Sequence, residues 1–397
     1  MRADIPSPAA AGPRGPVLTF PGQGAQQPLM AAGLYHGHPP FRRHLDRVLD
    51  LWGAEGAALR ADLLAPVPAL DPDGVRRAQP LLFAVDWALG RTVLDWGVRP
   101  TALLGHSVGE IAAAALAGVF TLEEAAGLMA DRVEHIAAGP AGGMLAVSAA
   151  PGDLAPYLHA DVVVGAVNGP RQVVLAGSAE PLAETGARLR ADGFTCRATR
   201  ALSPFHSPAL APAARAALPA VARLPLRAPR LPLHSAYTGG PLTAAEAADP
   251  AFWAGQPAAP VLYGPTLDAL LGTGRHLLLE CGPGRGLTTL ARRHRAVGSG
   301  RSTAVALLPA RARGDSTDLD SVRAAVEHLI AEGVLTGDPL PLGTMAPGQP
   351  GDPRLGPARR PAPGTGVLPG PHHPGSRPDC ERDRPGPVTG PADCEVR

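Results

Sequence analysis

Residues 101–120 read TALLGHSVGEIAAAALAGVF, an apolar run, a turn carrying one serine between two glycines, and an alanine-rich run. The run at 101–105 has the length and apolarity of a buried strand, and 108–117 has the composition of a helix. A strand passing through a tight turn into a helix is the repeating unit of a parallel α/β sheet. Gly105-His106-Ser107-Val108-Gly109 fits such a turn. It strains the serine backbone so that Oγ projects above the sheet, and side chains at the two flanking positions would collide with neighbouring backbone. Ser107 is therefore a candidate nucleophile, and the N–H of Val108 opens the helix where an oxyanion would form.

The rest of the chain extends that rhythm. PVLTF (16–20), LPLHS (231–235), HLLLE (276–280) and TAVALL (303–308) read as further buried parallel strands. Helical patterns lie at 77–96, 121–138, 206–222, 252–272 and 318–332. The alternation predicts an α/β sheet with helices on both faces. One segment breaks it. GMLAVS (143–148), a helix near 151–159, VVVGAVN (162–168), RQVVLAG (171–177), a helix near 179–192 and FTCRAT (194–199) spell βαββαβ, with NGP as the hairpin turn. A ferredoxin-like small subdomain over 141–199 is expected, inserted into a large α/β subdomain formed by 16–140 and 200–337. The cleft between the two is the natural place for a site.

Composition narrows the function classes. The 397 residues carry a formal net charge of +1, which argues against a nucleic-acid or membrane surface at the global level. All 36 basic residues are arginine, so lysine is unavailable as a Schiff base or phosphate clamp. The four cysteines, Cys196, Cys281, Cys380 and Cys394, show no disulfide or zinc spacing, and no metal site is expected. Residues 1–15 lack the apolar core of a signal peptide and read as a flexible N-terminus. No stretch is long enough to span a bilayer, so a cytoplasmic location is the expectation. Residues 345–397 are dominated by proline and glycine and read as a disordered tail.

A serine needs a base. Among the histidines, His206 in ALSPFHSPAL stands where an extended segment meets a helix start, flanked by prolines that fix the backbone. Its residue context alone leaves open a cap, a packed ring or a base.

Several stretches, taken together and in order, resemble the malonyl-CoA:acyl carrier protein transacylase family, including the acyltransferase domains of polyketide synthases. They are FPGQGAQ (20–26), AQPLLFAVDWAL (78–89), GHSVGE (105–110), ADRVEH (130–135), GGMLAV (142–147), AVNGPRQVVLAG (166–177), FHSP (205–208) and ECGPGRGLTTL (280–290). The resemblance covers roughly 16–335, and the extension at 306–335 is more similar to the polyketide-synthase members. It implies an α/β-hydrolase-like large subdomain and a free-standing acyltransferase that serves a carrier protein in trans.

Roles follow residue by residue from that resemblance. Ser107 matches the nucleophile and His206 its base. The third triad member would be the backbone carbonyl of Gln256, and the oxyanion donors the backbone N–H groups of Gln23 and Val108. Arg132 matches the carboxylate-binding arginine; read alone, MADRVEHI is a solvated helix face. Phe205 matches the residue before the base, whose ring would fill the space of an α-methyl and so favour malonyl, as does Val108. Ser203 and Pro204 depart from the malonyl pattern. Gln79, Asn168 and His106 match polar positions near the substrate, although a helix start and a hairpin turn also account for Gln79 and Asn168. No bound cofactor is implied. Malonyl-CoA would be the substrate, and the phosphopantetheine thiol of an acyl carrier protein, discrete or within a synthase module, the acceptor. Arg200, Arg285, Arg292 and Arg293 are candidates for a basic rim that docks an acidic carrier.

Three alternatives stay open. The same scaffold could move a starter or other acyl unit between carriers, or hydrolyse acyl-carrier thioesters; neither gives Arg132 a carboxylate to pair with. An α/β-hydrolase esterase would need a late histidine such as His276 or His294. A degenerate protein that only docks carriers would have no need to retain Ser107, His206 and Arg132.

Overall fold

The computed structural model describes residues 13–312 and 315–340. The expected tail at 345–397, with Cys380 and Cys394, lies outside the described residues, as does most of the segment 1–15.

The large sheet has six strands in the order β10-β9-β1-β2-β7-β8. These are β1 (Gly15–Phe20), β2 (Ala102–Gly105), β7 (Leu233–Ser235), β8 (Gly240–Pro241), β9 (His276–Glu280) and β10 (Thr303–Ala306). All pairs are parallel except β7–β8 at one edge. Alternate residues of the central strands enter two different cores. Leu18, Phe20, Leu103, Leu277 and Leu279 face one, and Val17, Ala102, Leu104 and Leu278 face the other. A sheet buried on both faces needs apolar residues at every position, which is why these strands read as uninterrupted hydrophobic runs.

The first core is closed by α1 (Ala32–Gly37), α2 (Pro39–Asp50), α3 (Gly53–Leu64), α4 (Val75–Asp95), α5 (Gly109–Ala117) and α6 (Leu122–Ala137). α7 (Ala179–Ala191) belongs to the small subdomain, whereas α8 (Ala211–Val221), the short α9 (Ala244–Ala247), α10 (Pro250–Gly255) and α14 (Asp315–Ala331) return to the first core. The second core is covered by α11 (Tyr263–Gly272), α12 (Gly286–Arg292) and α13 (Arg295–Gly298).

The inserted sheet is antiparallel, in the order β4-β5-β3-β6. It comprises β3 (Gly142–Val147), β4 (Val162–Gly169), β5 (Gln172–Ser178) and β6 (Cys196–Ala198), with a 3-10 helix at Pro151–Tyr157 and α7 as its two crossovers. One face carries Leu145, Val147, Val173 and Leu175 against Leu154, Leu182 and Leu189. The other turns Ala166 and Val174 toward the second core of the large sheet. A parallel bridge ties the two subdomains, with Val167 N–H donating to Val261 O (2.8 Å) and Val261 N–H to Gly165 O (2.9 Å).

Several expected elements differ. The helix expected at 252–272 is two helices, α10 and α11, because Pro257 and Pro260 remove backbone donors between them. The helix expected from 206 begins with a 3-10 turn at Pro208–Leu210 and becomes α8 only at Ala211. The first crossover of the small subdomain is 3-10 rather than α, with Pro156 inside it. The sequence reading assigns no helices to 32–64, yet Phe41, Leu45, Val48 and Leu49 carry helical spacing and are buried.

Candidate active site

Ser107 lies between the end of β2 and the start of α5, with φ of +54°, and His206 has φ of +63°. Left-handed backbone is costly for residues with a Cβ and persists where the surroundings enforce it. The crowding around Ser107 is measurable. A Cβ on Gly105 would meet Glu110 N and Cα at 2.2 Å, and one on Gly109 would meet Phe20 O at 2.3 Å. Both contacts are with backbone, which cannot swing aside. Gly105→Ala is therefore expected to cost about 3 kcal/mol or more and to lower the thermal midpoint by on the order of 10 °C. Gly127→Ala is the control. Gly127 is exposed in the interior of α6, and a Cβ added there would have nothing within 4 Å, so the variant should gain up to about 1 kcal/mol. Equal melting temperatures for the two variants would overturn this account of the turn.

Ser107 Oγ and His206 Nε2 are 2.8 Å apart, and both residues are buried. Nδ1 of the same ring faces two backbone carbonyls, Ala259 O at 3.0 Å and Gln256 O at 3.2 Å. Carbonyl oxygens only accept, so Nδ1 carries the proton and Nε2 presents its lone pair to the serine hydroxyl. The family resemblance implies Gln256; the nearer acceptor, Ala259, has no side-chain signature, because it acts through a backbone carbonyl. Its trace was the pair of prolines in QPAAP, which break the helix and turn carbonyls outward. The same segment holds His206 through its main chain, its N–H donating to Pro257 O (2.7 Å). Burial, with the nearby Arg132 and His106, pulls the His206 ring down to about 3, so it is neutral at ordinary pH.

The loop after β1 closes over the serine. A Cβ on Gly22 would meet His106 O at 2.5 Å and Ser107 Cβ at 3.2 Å, so only glycine allows this approach. The Gln23 side chain anchors the loop, donating to Asp73 O (3.0 Å) and accepting from Gln79 Nε2 (3.1 Å). Among the described residues, neither the Gln23 nor the Val108 backbone N–H donates within the protein.

Arg132 projects from α6 and is 4% exposed, not on a solvated face. Its Nε donates to Gln79 Oε1 (3.3 Å), so Gln79 links the arginine to the Gln23 loop. Its Nη2 is buried without a hydrogen-bond partner. Glu134 does not compete for it, being paired with Arg76. Glu110, fully buried, accepts from Ser235 Oγ (2.7 Å) and Ala236 N–H (3.0 Å), and Gln256 Nε2 approaches it at 3.4 Å. Burial pushes Glu110 up to about 8 despite the neighbouring Arg132.

His106 Nε2 lies 2.8 Å from Asn168 Oδ1, tying the serine turn to the small sheet. Phe205 is buried against Ile136 and Leu210 with Met144 beside it. Ser107, His206, Phe205, Gln79, His106, Asn168 and Gln23 all line one cleft of about 1490 Å³. Arg132 lies behind its wall, lining a small apolar cavity with Leu128, Ile136 and Trp253. Among the described residues, Arg171, Arg197, Arg200, Arg285, Arg293 and Arg311 also line the cleft and no aspartate or glutamate does, although Arg200 lies 3.5 Å from Asp73 and Arg171 3.8 Å from Asp153. Of the four arginines expected at a rim, Arg292 is elsewhere and donates to Ala304 O (3.2 Å).

Among the described residues, no helix is long and apolar enough to cross a membrane, and no cluster of three or more histidine, cysteine, aspartate or glutamate residues is placed to hold a metal ion.

Comparison with known proteins places this geometry. The family model for the acyl transferase domain matches residues 17–330. A phenolphthiocerol/phthiocerol polyketide synthase chain of Mycobacterium tuberculosis is 38% identical over 279 residues, 70% of this chain and 19% of its own length. Polyketide synthase GfsB of Streptomyces halstedii is 38% identical over 280 residues, 68% of this chain and 5% of its own. The chain thus spans a fifth or less of these relatives. Among solved structures, the acyl transferase domain of SpnD in complex with 2-(pent-4-yn-1-yl)malonyl superposes with a TM-score of 0.74 at 32% identity, covering 81% of this chain and 78% of that one. FabD from Acinetobacter baumannii shares the fold, with a TM-score of 0.70 at 23% identity over 81% of this chain and 99% of that one. The chain belongs to the acyl transferase domain family and is an acyltransferase.

Proposed function

We propose that the protein moves a malonyl group from malonyl-CoA, through an acyl ester on Ser107, to the phosphopantetheine thiol of an acyl carrier protein in polyketide or fatty-acid synthesis. The observation that carries this reading is a serine–histidine pair beside a buried arginine whose Nη2 has no partner. The pair supplies an activated nucleophile, and the arginine calls for an acyl group ending in a carboxylate.

In the first half-reaction, the Ser107 hydroxyl proton passes to His206 Nε2 as Oγ bonds to the thioester carbon. The carbonyl electron pair moves onto oxygen, and the oxyanion is held by the Gln23 and Val108 N–H groups. When the carbonyl re-forms, the C–S bond breaks and the leaving CoA sulfur takes the proton from His206. In the second half, the carrier thiol gives its proton to His206 and its sulfur attacks the acyl ester. Collapse breaks the C–Oγ bond, and Oγ recovers the proton. No redox or metal step is required.

Phe205, buried beside the base, would fill the space an α-methyl needs, which supports malonyl over methylmalonyl. One methyl is worth about 1–3 kcal/mol of discrimination. A cleft lined by six arginines suits both the phosphates of CoA and the acidic face of a carrier.

Intact-protein mass spectrometry after separate incubation with malonyl-, methylmalonyl- and acetyl-CoA tests the reading. The expected result is a malonyl adduct on the native protein and none on Ser107→Ala. An equal methylmalonyl adduct would overturn the role given to Phe205. An adduct from acetyl-CoA alone would overturn the malonyl assignment and favour transfer of a monocarboxylic unit.

A further inference from the structure

Tyr237 stands two residues beyond the end of β7, at the carboxyl edge of the parallel sheet where ligands of open α/β sheets bind. Its ring lies 6.0 Å from the His206 ring and 6.3 Å from that of Phe252. Its backbone N–H donates to Ser235 Oγ (3.0 Å), whose hydroxyl donates in turn to Glu110, so the residue is held from below. The hydroxyl is buried and sits close enough to Ser107 and Arg132 to interact with both, yet it meets hydrogen-bond geometry with neither. Arg132 Nη2 is buried in the same condition.

A buried donor without an acceptor costs about 1–3 kcal/mol. Two of them beside one nucleophile point to a missing acceptor with two oxygens. Glu110 does not fill that place, because its oxygens already accept from Ser235, Ala236 and Gln256.

We propose that the Tyr237 hydroxyl is a second donor which, together with Arg132, grips the carboxylate of the acyl group, making Tyr237 a specificity-determining residue of the transfer. The proposal rests on the malonyl reading above. Burial, outweighing the opposing charge of Arg132, holds the phenol well above its ordinary value, so at neutral pH it is a donor and not a phenolate. A guanidinium and a neutral hydroxyl together bind a carboxylate without adding a second buried charge.

The experiment measures loading of Ser107 by malonyl-CoA and acetyl-CoA in the full chain and in Tyr237→Phe, with labelling by phenylmethanesulfonyl fluoride as a carboxylate-free probe of the serine. A hydrogen bond to a charged group is worth about 1.5–3 kcal/mol, so malonyl kcat/KM is expected to fall about 10- to 100-fold. Acetyl loading and sulfonyl labelling should stay within about twofold of the native protein, a split that a merely structural role would not produce. In an Arg132→Ala background, Tyr237→Phe should have little further effect on malonyl loading, because the two donors share one ligand. Tyr237→Leu, which also deletes the hydroxyl, should give the same fall should Tyr237→Phe prove unstable. An unchanged malonyl-to-acetyl ratio in either variant would overturn the proposal while leaving the malonyl reading intact. Failure of the native protein to take malonyl at all would overturn that reading itself.

Discussion

Replacing His206 by alanine is expected to slow acyl loading of Ser107 by about 10²–10⁴-fold, the usual contribution of a positioned general base. The geometry explains why no other group substitutes for it. Nε2 is the one basic atom hydrogen-bonded to Ser107 Oγ among the described residues. His106, the neighbouring ring, is engaged with Asn168 and points toward the small sheet. The two carbonyls on Nδ1 fix the tautomer and raise the basicity of the ring only weakly, bringing no negative charge, and burial together with Arg132 and His106 outweighs them. The consequence is a pH dependence unlike that of a histidine with a carboxylate partner. A base lowered to about 3 remains neutral well below the ordinary imidazole value of about 6.5. Loading kcat/KM, which reports the free enzyme, should therefore be nearly flat from about pH 5 to pH 8. Stopped-flow or quenched-flow loading with malonyl-CoA across that range provides the check. A fall centred near pH 6.5 would mean that the ring is solvated or charge-paired in the working enzyme, contrary to this site.

What the sequence reveals and what it hides divide along a physical line. The serine turn was legible because its determinants are local: a four-residue apolar strand, two glycines at which an added Cβ would meet backbone at 2.2 and 2.3 Å, and a helix immediately after. The small subdomain was legible for the same reason, since alternation, a tight hairpin and helical spacing are all short-range. His206, the Gln23 loop and Arg132 became visible as candidates only through the order of several separated motifs. Arg132 shows this most clearly, because its own helix reads as solvated while the folded chain buries it under α8 and α10 residues. Ala259 and Tyr237 were not legible. One acts through a carbonyl that any residue possesses, and the other reaches the site from a loop more than a hundred residues beyond the serine. The helices at 32–64 are a different case, since the spacing of Phe41, Leu45 and Val48 announced at least α2.

Arg132→Ala should separate recognition from stability. Removing one partner of a buried, hydrogen-bonded charge pair costs about 3–5 kcal/mol, so malonyl loading is expected to fall by roughly 10²–10³-fold, with acetyl loading little changed. The fold should suffer much less, for two reasons. Among the described residues Arg132 Nε donates to Gln79 and Nη2 is buried without a hydrogen-bond partner, so truncation also removes a desolvation cost. Nor does it strand a buried anion, because Glu110, pushed up to about 8, carries its proton at neutral pH. That second point has a sign that can be checked. Glu110 keeps in the native state a proton that the unfolded chain releases above its ordinary carboxyl value, so its contribution to stability declines as pH rises from about 4.5 toward 8. Losing the Arg132 charge, which holds Glu110 down, extends that decline to higher pH. Thermal midpoints of the native protein and Arg132→Ala, measured at pH 6 and pH 8.5, should therefore lie close together at the lower pH and diverge at the higher. A large loss at pH 6 would show that Arg132 is a structural counter-ion of an ionised Glu110. Arg132→Lys should recover stability at pH 8.5 but little malonyl loading, since an ammonium supplies charge without the planar pair of donors that a carboxylate matches.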